Sequence, residues 1–295
     1  MHNSLCMASR KKSSDVPVYA ETPHDEIGFW SEIKLDILRK YAAAYSNIVN
    51  KQPYKFQTLY VDAFAGSGKH VSRETGEFVM GSPARALEVT PPFDEYHFVD
   101  MDKAKVRSLE ALARDRTNVI VHEGDCNTVL LHEVFPRARY QDYRRALCLL
   151  DPYSLQLDWS VIRAAGEMGS VEIFLNFPIM DINRTVLRKD GPVLASGLKM
   201  TRFWGDESWR EAAYRPERGL FEMHDVKVEN WELVKAFRER LRTVGGFKYV
   251  PEPMAMRNTQ RSIVYYLFFA GPNATGERIV TEIFNGYRKR GYGQR

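Results

Sequence analysis

Long apolar runs are missing from this chain of 295 residues. None approaches the roughly 20 residues that span a bilayer, and the polar N-terminus lacks the apolar stretch of a secretory signal. Both absences point away from a membrane and towards a cytoplasmic protein. Cysteine is scarce as well: Cys6, Cys126 and Cys148 are odd in number and far apart. Neither a disulfide framework nor a zinc ligand set can be read from them, and no metal is expected. Charge of one sign is not in excess, since 42 Lys and Arg face 38 Asp and Glu for a net +4. That permits a nucleic-acid partner without arguing for one. Internal repeats and low-complexity tracts are absent. With 44% hydrophobic and 27% charged residues, the rest has the composition of an ordinary globular protein. One large α/β domain is the simplest expectation at this length.

Residues 1–24 mix Ser, Arg, Lys, Pro and Asp without a hydrophobic period, so they are set apart as a disordered tail or expression remnant, with Met7 a natural start. Trp30, Ile33, Ile37, Leu38, Tyr41 and Tyr45 then recur at three- and four-residue steps, which predicts a helix over 29–46. From Thr58 short apolar stretches alternate with longer helical ones. Strands are expected at 59–63, 96–100, 119–122, 146–151 and 171–177, and helices at 83–89, 103–116, 128–135 and 159–168. This rhythm is that of a doubly wound parallel sheet covered on both faces. After Phe177 a largely helical insertion is expected at about 184–244, with helices near 207–214 and 231–244. Strands near 247–254 and 262–270 would then close the sheet as an antiparallel pair. A helix over 276–289 ends the domain, taken as 25–290, and 291–295 form a tail.

The first strand runs into Asp62-Ala63-Phe64-Ala65-Gly66-Ser67-Gly68. Glycine there lets the backbone approach a nucleotide-like ligand at the carboxyl end of the strand. Gly66-Ser67-Gly68-Lys69 superficially resembles the end of a phosphate-binding Walker loop. The first required glycine would fall at Ala63, however, and His70 stands where Ser or Thr should hold magnesium, which argues against a kinase or ATPase. The second strand ends at Asp100, with Met101 beside it, where a carboxylate can accept from two ribose hydroxyls. Residues 69–80 lengthen the gap as an extra loop before Ser82 caps and Pro83 opens a helix. Asp102 is placed as the cap of the next helix. The third strand leads to Gly124-Asp125-Cys126, where Asp125 is either an acceptor for an adenine amine or a turn cap. The order of these features, glycine loop then acid then Gly-Asp, carries the argument.

Strand four ends at Asp151-Pro152-Tyr153. The triplet resembles the Asp-Pro-Pro-Tyr motif of amino-group methyltransferases, in which acceptors hold a planar amine while the aromatic ring stacks on its base. Asp151 would orient the amine and Tyr153 would stack, but one proline of the motif is missing, so base specificity does not carry over. Asn176, at the end of strand five, would line the same pocket. Trp30 and Lys34 lie one helical turn apart, and either they cover a ligand together or Trp30 packs in the core beside a solvated Lys34. Arg137, Arg139, Arg144 and Arg145 with Tyr140 and Tyr143 form the best basic-aromatic cluster for phosphate and base contact, though a solvated loop between helix and strand accounts for it better.

The glycine loop, the acid and the Gly-Asp step together look like the class I methyltransferase signature. From Trp30 onward the chain resembles the three-Cys-motif partner protein family. The resemblance rests on Trp30 and Lys34, on Asp62 to Gly68, on Gly81-Ser82-Pro83 and on Asp151-Pro152-Tyr153. It implies a Rossmann-like sheet of about seven strands and S-adenosylmethionine as cofactor, held by Asp62, Phe64, Ala65, Gly66, Gly68, Asp100, Met101, Asp125 and Cys126. It also implies an associated protein bearing three cysteines. The function expected is methyl transfer to an amino nitrogen, with a nucleic-acid base the first acceptor. The alternative is a non-catalytic adaptor of the same fold, and an insertion that fills the cleft at Asp151 would mark it.

Overall fold

The computed structural model describes residues 26–27, 29–72, 76–187, 194–218 and 223–293, so the segment 1–24 lies outside the described residues. Strand β1 (Glu26–Ile27) leads into helix α1 (Phe29–Asn50), which buries Ile33, Ile37, Leu38, Tyr41 and Tyr45 along one face and runs on past the expected end. Strand β2 (Gln57–Asp62) is buried from Thr58 onward. The stretch expected as a loop folds instead into a hairpin, β3 (Lys69–Ser72) and β4 (Phe78–Met80), with β1 parallel to β3. Valine on both arms favours strands, and Gly76, just before β4, stands at φ +70°. Helix α2 (Ser82–Leu87) starts one residue earlier than expected, with Gly81 at its N-cap. Ser82 is therefore no cap, and its hydroxyl bonds Asp62.

Strand β5 (Glu95–Asp100) passes through Asp102 into helix α3 (Lys103–Ala113). Asp102 caps it as expected, accepting from the N–H groups of Ala104 and Lys105 at 2.7 and 3.3 Å. After β6 (Val119–Glu123) the expected helix over 128–135 is broken up. Helix α4 (Cys126–Val129) yields to a π turn at Leu130–Val134 and a 3-10 turn at Phe135–Arg137, where Pro136 has no N–H to extend a helix. Strand β7 (Arg144–Leu150), helix α5 (Trp159–Met168) and strand β8 (Val171–Phe177) follow, and β8 is buried at every residue.

The insertion is less helical than expected. It holds α6 (Ile179–Thr185), α7 (Leu194–Trp204), α8 (Trp209–Ala213), a hairpin of β9 (Tyr214–Arg218) and β10 (Met223–Lys227), and α9 (Asn230–Thr243). Strand β11 (Met254–Arg257) forms later than the expected 247–254, because Pro251 and Pro253 offer no N–H to a ladder. Strand β12 (Ile263–Ala270) and helix α10 (Ala274–Lys289) complete the described chain.

Seven strands form one sheet in the order β11-β12-β8-β7-β2-β5-β6. The five from β2 to β8 in it are parallel, while β12 runs antiparallel between β8 and β11. A parallel sheet reversed only where its last strand slips in beside the fifth is the class I methyltransferase arrangement. One face is covered by α1, α2, α3 and α10, through Tyr41, Ala86, Leu109 and Phe284. Helices α4, α5, α7 and α9 cover the other, through Val129, Ile162, Phe203 and Phe237. Among the described residues no helix is long and apolar enough to cross a membrane.

Candidate functional site

Every parallel strand points its carboxyl end at one cleft, and the loops that leave those ends build it. The cleft encloses about 750 Å³ and is lined by Phe64, Ala65 and Gly66 after β2, Asp100 and Met101 after β5, Asp125 and Cys126 after β6, Asp151 to Tyr153 after β7, and Asn176 in β8. Lys34 of α1 reaches it from the side.

Gly66, at φ +65°, turns its N–H to Oδ2 of Asp100 at 2.9 Å. The other oxygen of Asp100 accepts the N–H of Asp102 at 2.8 Å. The acid at the end of β5 thus ties the glycine loop to the neighbouring strand. Gly68, at φ +76°, lies off the cleft wall: its carbonyl accepts the N–H of Gly81 at 2.9 Å, and a Cβ there would meet Leu112 at 3.1 Å. Gly68 therefore lets the loop lie on α3. Asp62 is also off the wall and is wholly buried, with one oxygen lacking a partner. Burial pushes its carboxyl up to about 7 against the hydrogen bond from Ser82. Asp125 caps α4, accepting the Thr128 N–H and the Asn127 amide at 3.2 Å each, and Cys126 beside it is a neutral wall whose thiol burial pushes up to about 12.

Asp151 is held on two sides. One oxygen pairs with the Lys34 ammonium and the other accepts the Asn176 amide. Lys34 is thus buried rather than solvated, and its ammonium also lies 5.6 Å from the centre of the Tyr265 ring. Burial alone would lower the pKa of this lysine, but Asp151 beside it raises it overall. Trp30 stands off the cleft and meets Tyr292 edge-on at 5.6 Å. The turn after Asp151 contains Ser154 in the left-handed region, φ +55°, and it presents Tyr153 with 66% of its surface exposed.

Tyr265, Lys199 and Arg202 are among the contributors to the cleft that were not foreseen. Tyr265 stands on β12 two residues before Leu267, which pairs with Asn176, so period-two alternation puts it on the face of the sheet that Leu267 shares and nearer the cleft. Its hydroxyl is buried without a partner, and burial raises it to about 12. Lys199 and Arg202 reach the wall from α7, and Arg202 pairs with Asp158 at 2.7 Å. The sequence signals neither, because α7 itself was not anticipated. The arginine and tyrosine cluster is absent from the cleft: Arg144 and Arg145 open β7 at the far end of the strand, and Arg137 and Arg144 both pair with Glu95.

No protein-family model matches the chain, and no curated protein sequence does. Among solved structures it is similar to protein LPL1258 of Legionella pneumophila, at 12% identity and a TM-score of 0.52 over 90% of this chain and 94% of that one. It also matches the N-methyltransferase NodS of Bradyrhizobium japonicum, solved with S-adenosyl-L-homocysteine, at 8% identity and a TM-score of 0.41 over 83% and 89% of the two chains. The CurJ carbon methyltransferase matches at 14% identity and a TM-score of 0.43 over 83% and 56%. The fold is shared with the Legionella protein along nearly the whole of both chains, and the order of its strands makes it the class I methyltransferase fold.

Proposed function

We propose that the chain is an S-adenosylmethionine-dependent methyltransferase acting on an amino nitrogen, with a nucleic-acid base the first acceptor to test. The observation that carries this reading is the Asp151 carboxylate, clamped by Lys34 and Asn176 where the fourth parallel strand opens on the cleft. When bound, S-adenosylmethionine supplies an electrophilic methyl group. The residues suit it: each oxygen of Asp100 accepts one backbone N–H and keeps a lone pair for a ribose hydroxyl. Phe64 and Met101 give apolar surface, and Gly66 allows close approach.

An amino group presents two N–H donors. Asp151 is one acceptor, and the Oδ1 of Asn176, buried without a partner, is a second beside it. Both direct the nitrogen lone pair along one line, and the exposed Tyr153 ring offers a face for a planar acceptor. With the cofactor bound, the nitrogen would take the methyl group as the carbon–sulfur bond breaks, S-adenosylhomocysteine would leave, and the surplus proton would pass to water through the open cleft. The described residues of the insertion do not fill that cleft, which favours the enzyme over an adaptor. The motifs around Lys34, Gly66, Ser82 and Asp151 further support a place among the three-Cys-motif partner proteins, with a three-cysteine protein as partner.

Calorimetric titration with S-adenosylmethionine tests the cofactor, with affinity expected to fall at least about tenfold in Asp100→Ala, the loss of about one charged hydrogen bond. Labelled methyl transfer to fractionated DNA, RNA and protein tests the chemistry. Asp151→Ala should cost about 100-fold in rate while leaving cofactor affinity within a few-fold, since misalignment alone has that effect. No binding by the intact protein ends the cofactor assignment, and undiminished transfer by Asp151→Ala ends the catalytic one.

A further inference from the structure

At the amino ends of β2 and β7 the arginine and tyrosine cluster has become something definite. The Arg145 guanidinium lies between two rings, 4.0 Å from the centre of Tyr140 and 4.5 Å from that of Phe56. Its Nη1 donates to the Arg144 and Tyr140 carbonyls at 2.8 and 3.3 Å, which fixes its plane. Phe56 continues to Tyr143 at 6.0 Å and Tyr143 to Tyr54 at 6.4 Å. The result is one continuous run of four rings and a guanidinium, with Phe56 and Tyr143 tilted by 42° and Tyr143 and Tyr54 by 37°. Packing does not explain its outer members, since Tyr54, Tyr140 and Tyr143 remain 65%, 59% and 56% exposed. Tyr143 is also held at φ +56°, a conformation that costs an ordinary side chain energy and that collects at functional sites.

The stack borders a second cavity of about 790 Å³, floored by Tyr41 and Tyr45 of α1 and walled by Phe56, Tyr140 and Arg145. The Tyr45 hydroxyl is buried there without a partner. The unpaired charges around the rings are positive. Lys51 and Lys55 flank Tyr54 in sequence, Lys248 lines the cavity, and none of the three is ion-paired among the described residues. The nearby carboxyls are already engaged: Glu167 by Arg163 at 2.6 Å, Glu172 by the Tyr41 hydroxyl at 2.6 Å and the Asn273 amide at 2.7 Å, and Asp142 by Arg139 at 2.9 Å.

We propose that this surface binds single-stranded nucleic acid, its exposed rings stacking on unpaired bases, its lysines meeting phosphates and its cavity admitting one base. Stacking rings interleaved with cations that have no acidic partner suit a polyanion whose flat faces are free. Duplex bases already stack on each other and do not suit it. The surface is separate from the cleft: β7 spans seven residues, about 20 Å, between them. It therefore anchors a strand rather than touching the methyl acceptor, and the inference does not depend on methyl transfer.

Fluorescence anisotropy of the full chain with labelled oligothymidylate, oligouridylate and a matched duplex tests it. Single strands should bind more tightly than the duplex, and Tyr54→Ala/Tyr143→Ala should weaken them about tenfold or more, the value of one base stack. Lys51→Gln/Lys55→Gln should flatten the dependence of log affinity on log salt by about one to two. Exposed positions are chosen so that melting temperature stays unchanged, and S-adenosylmethionine titration of the same variants should match the wild type. Absence of binding at low salt, preference for the duplex, or wild-type affinity in the tyrosine variant overturns the proposal. So does recovery of a protein ligand that needs the same tyrosines when no oligonucleotide binds. Failure of the wild type to bind S-adenosylmethionine would overturn the proposed function and leave this surface standing.

Discussion

Replacing Lys34 by methionine keeps most of its apolar stem and removes the ammonium that pairs with Asp151. Breaking a fully buried pair from one side costs about 3–5 kcal/mol, because the remaining charge is stranded. Here the lysine side chain is 9% exposed but that of Asp151 is 32% exposed, so water reaches the orphaned carboxylate. A loss of about 2 kcal/mol is therefore expected, which lowers Tm by about 4–8 °C in a domain of this size. Asp151→Asn strands the ammonium instead. The double variant Lys34→Met/Asp151→Asn strands neither and should lose about 1–2 kcal/mol less than the two single losses added together. Urea denaturation of the four proteins measures the cycle. Cofactor affinity should not move in Lys34→Met, whereas methyl transfer should fall with the lost alignment of Asp151. Additive losses, or a single variant as stable as the wild type, would refute the view that Lys34 holds this carboxylate.

Because burial pushes Asp62 up to about 7, the folded chain holds a proton that the unfolded chain releases near pH 4. Stability then falls as pH rises between those values, by at most about 1.4 kcal/mol per unit, so the Tm of Asp62→Asn should gain on the wild type from pH 5 to pH 8. A difference independent of pH would count against this. In Gly166→Ala the new Cβ would stand 1.8 Å from the Gly245 carbonyl oxygen, and a loss of about 3 kcal/mol is expected by thermal melting. The loop after β2 is not a Walker loop, so pure protein should release no phosphate from ATP with magnesium. Steady release abolished by Lys69→Ala would contradict that.

The parallel sheet was legible because each strand carries its own apolar run between helix-like stretches, and β8 and α5 appear with the expected bounds. The cleft was legible for the same reason, since its loops follow those strands in order. What escaped depends on partners distant in sequence. Lys34 reads as solvated on its own helix, and only the docking of α1 brings it to Asp151, 117 residues away. Tyr265 belongs to a strand whose register is set by β8. The hairpin of β9 and β10 is nearly all exposed on β9, so it leaves no apolar alternation to read. Proline explains two of the misplaced bounds, at 136 and at 251 and 253, where a missing N–H overrides an otherwise suitable pattern.

Helix α1 has a consequence beyond its place in the core. Lys34 stands in the wall of one cavity and Tyr45 in the floor of the other. The 11 residue steps from Lys34 to Tyr45 span about 16 Å of unbroken helix. Such a rod transmits a tilt or slide from one end to the other instead of absorbing it. A ligand that moves α1 against the stack therefore also changes how Lys34 meets Asp151, and thermodynamic linkage makes the influence mutual: whatever one occupant does to the affinity of the other is returned by the same factor.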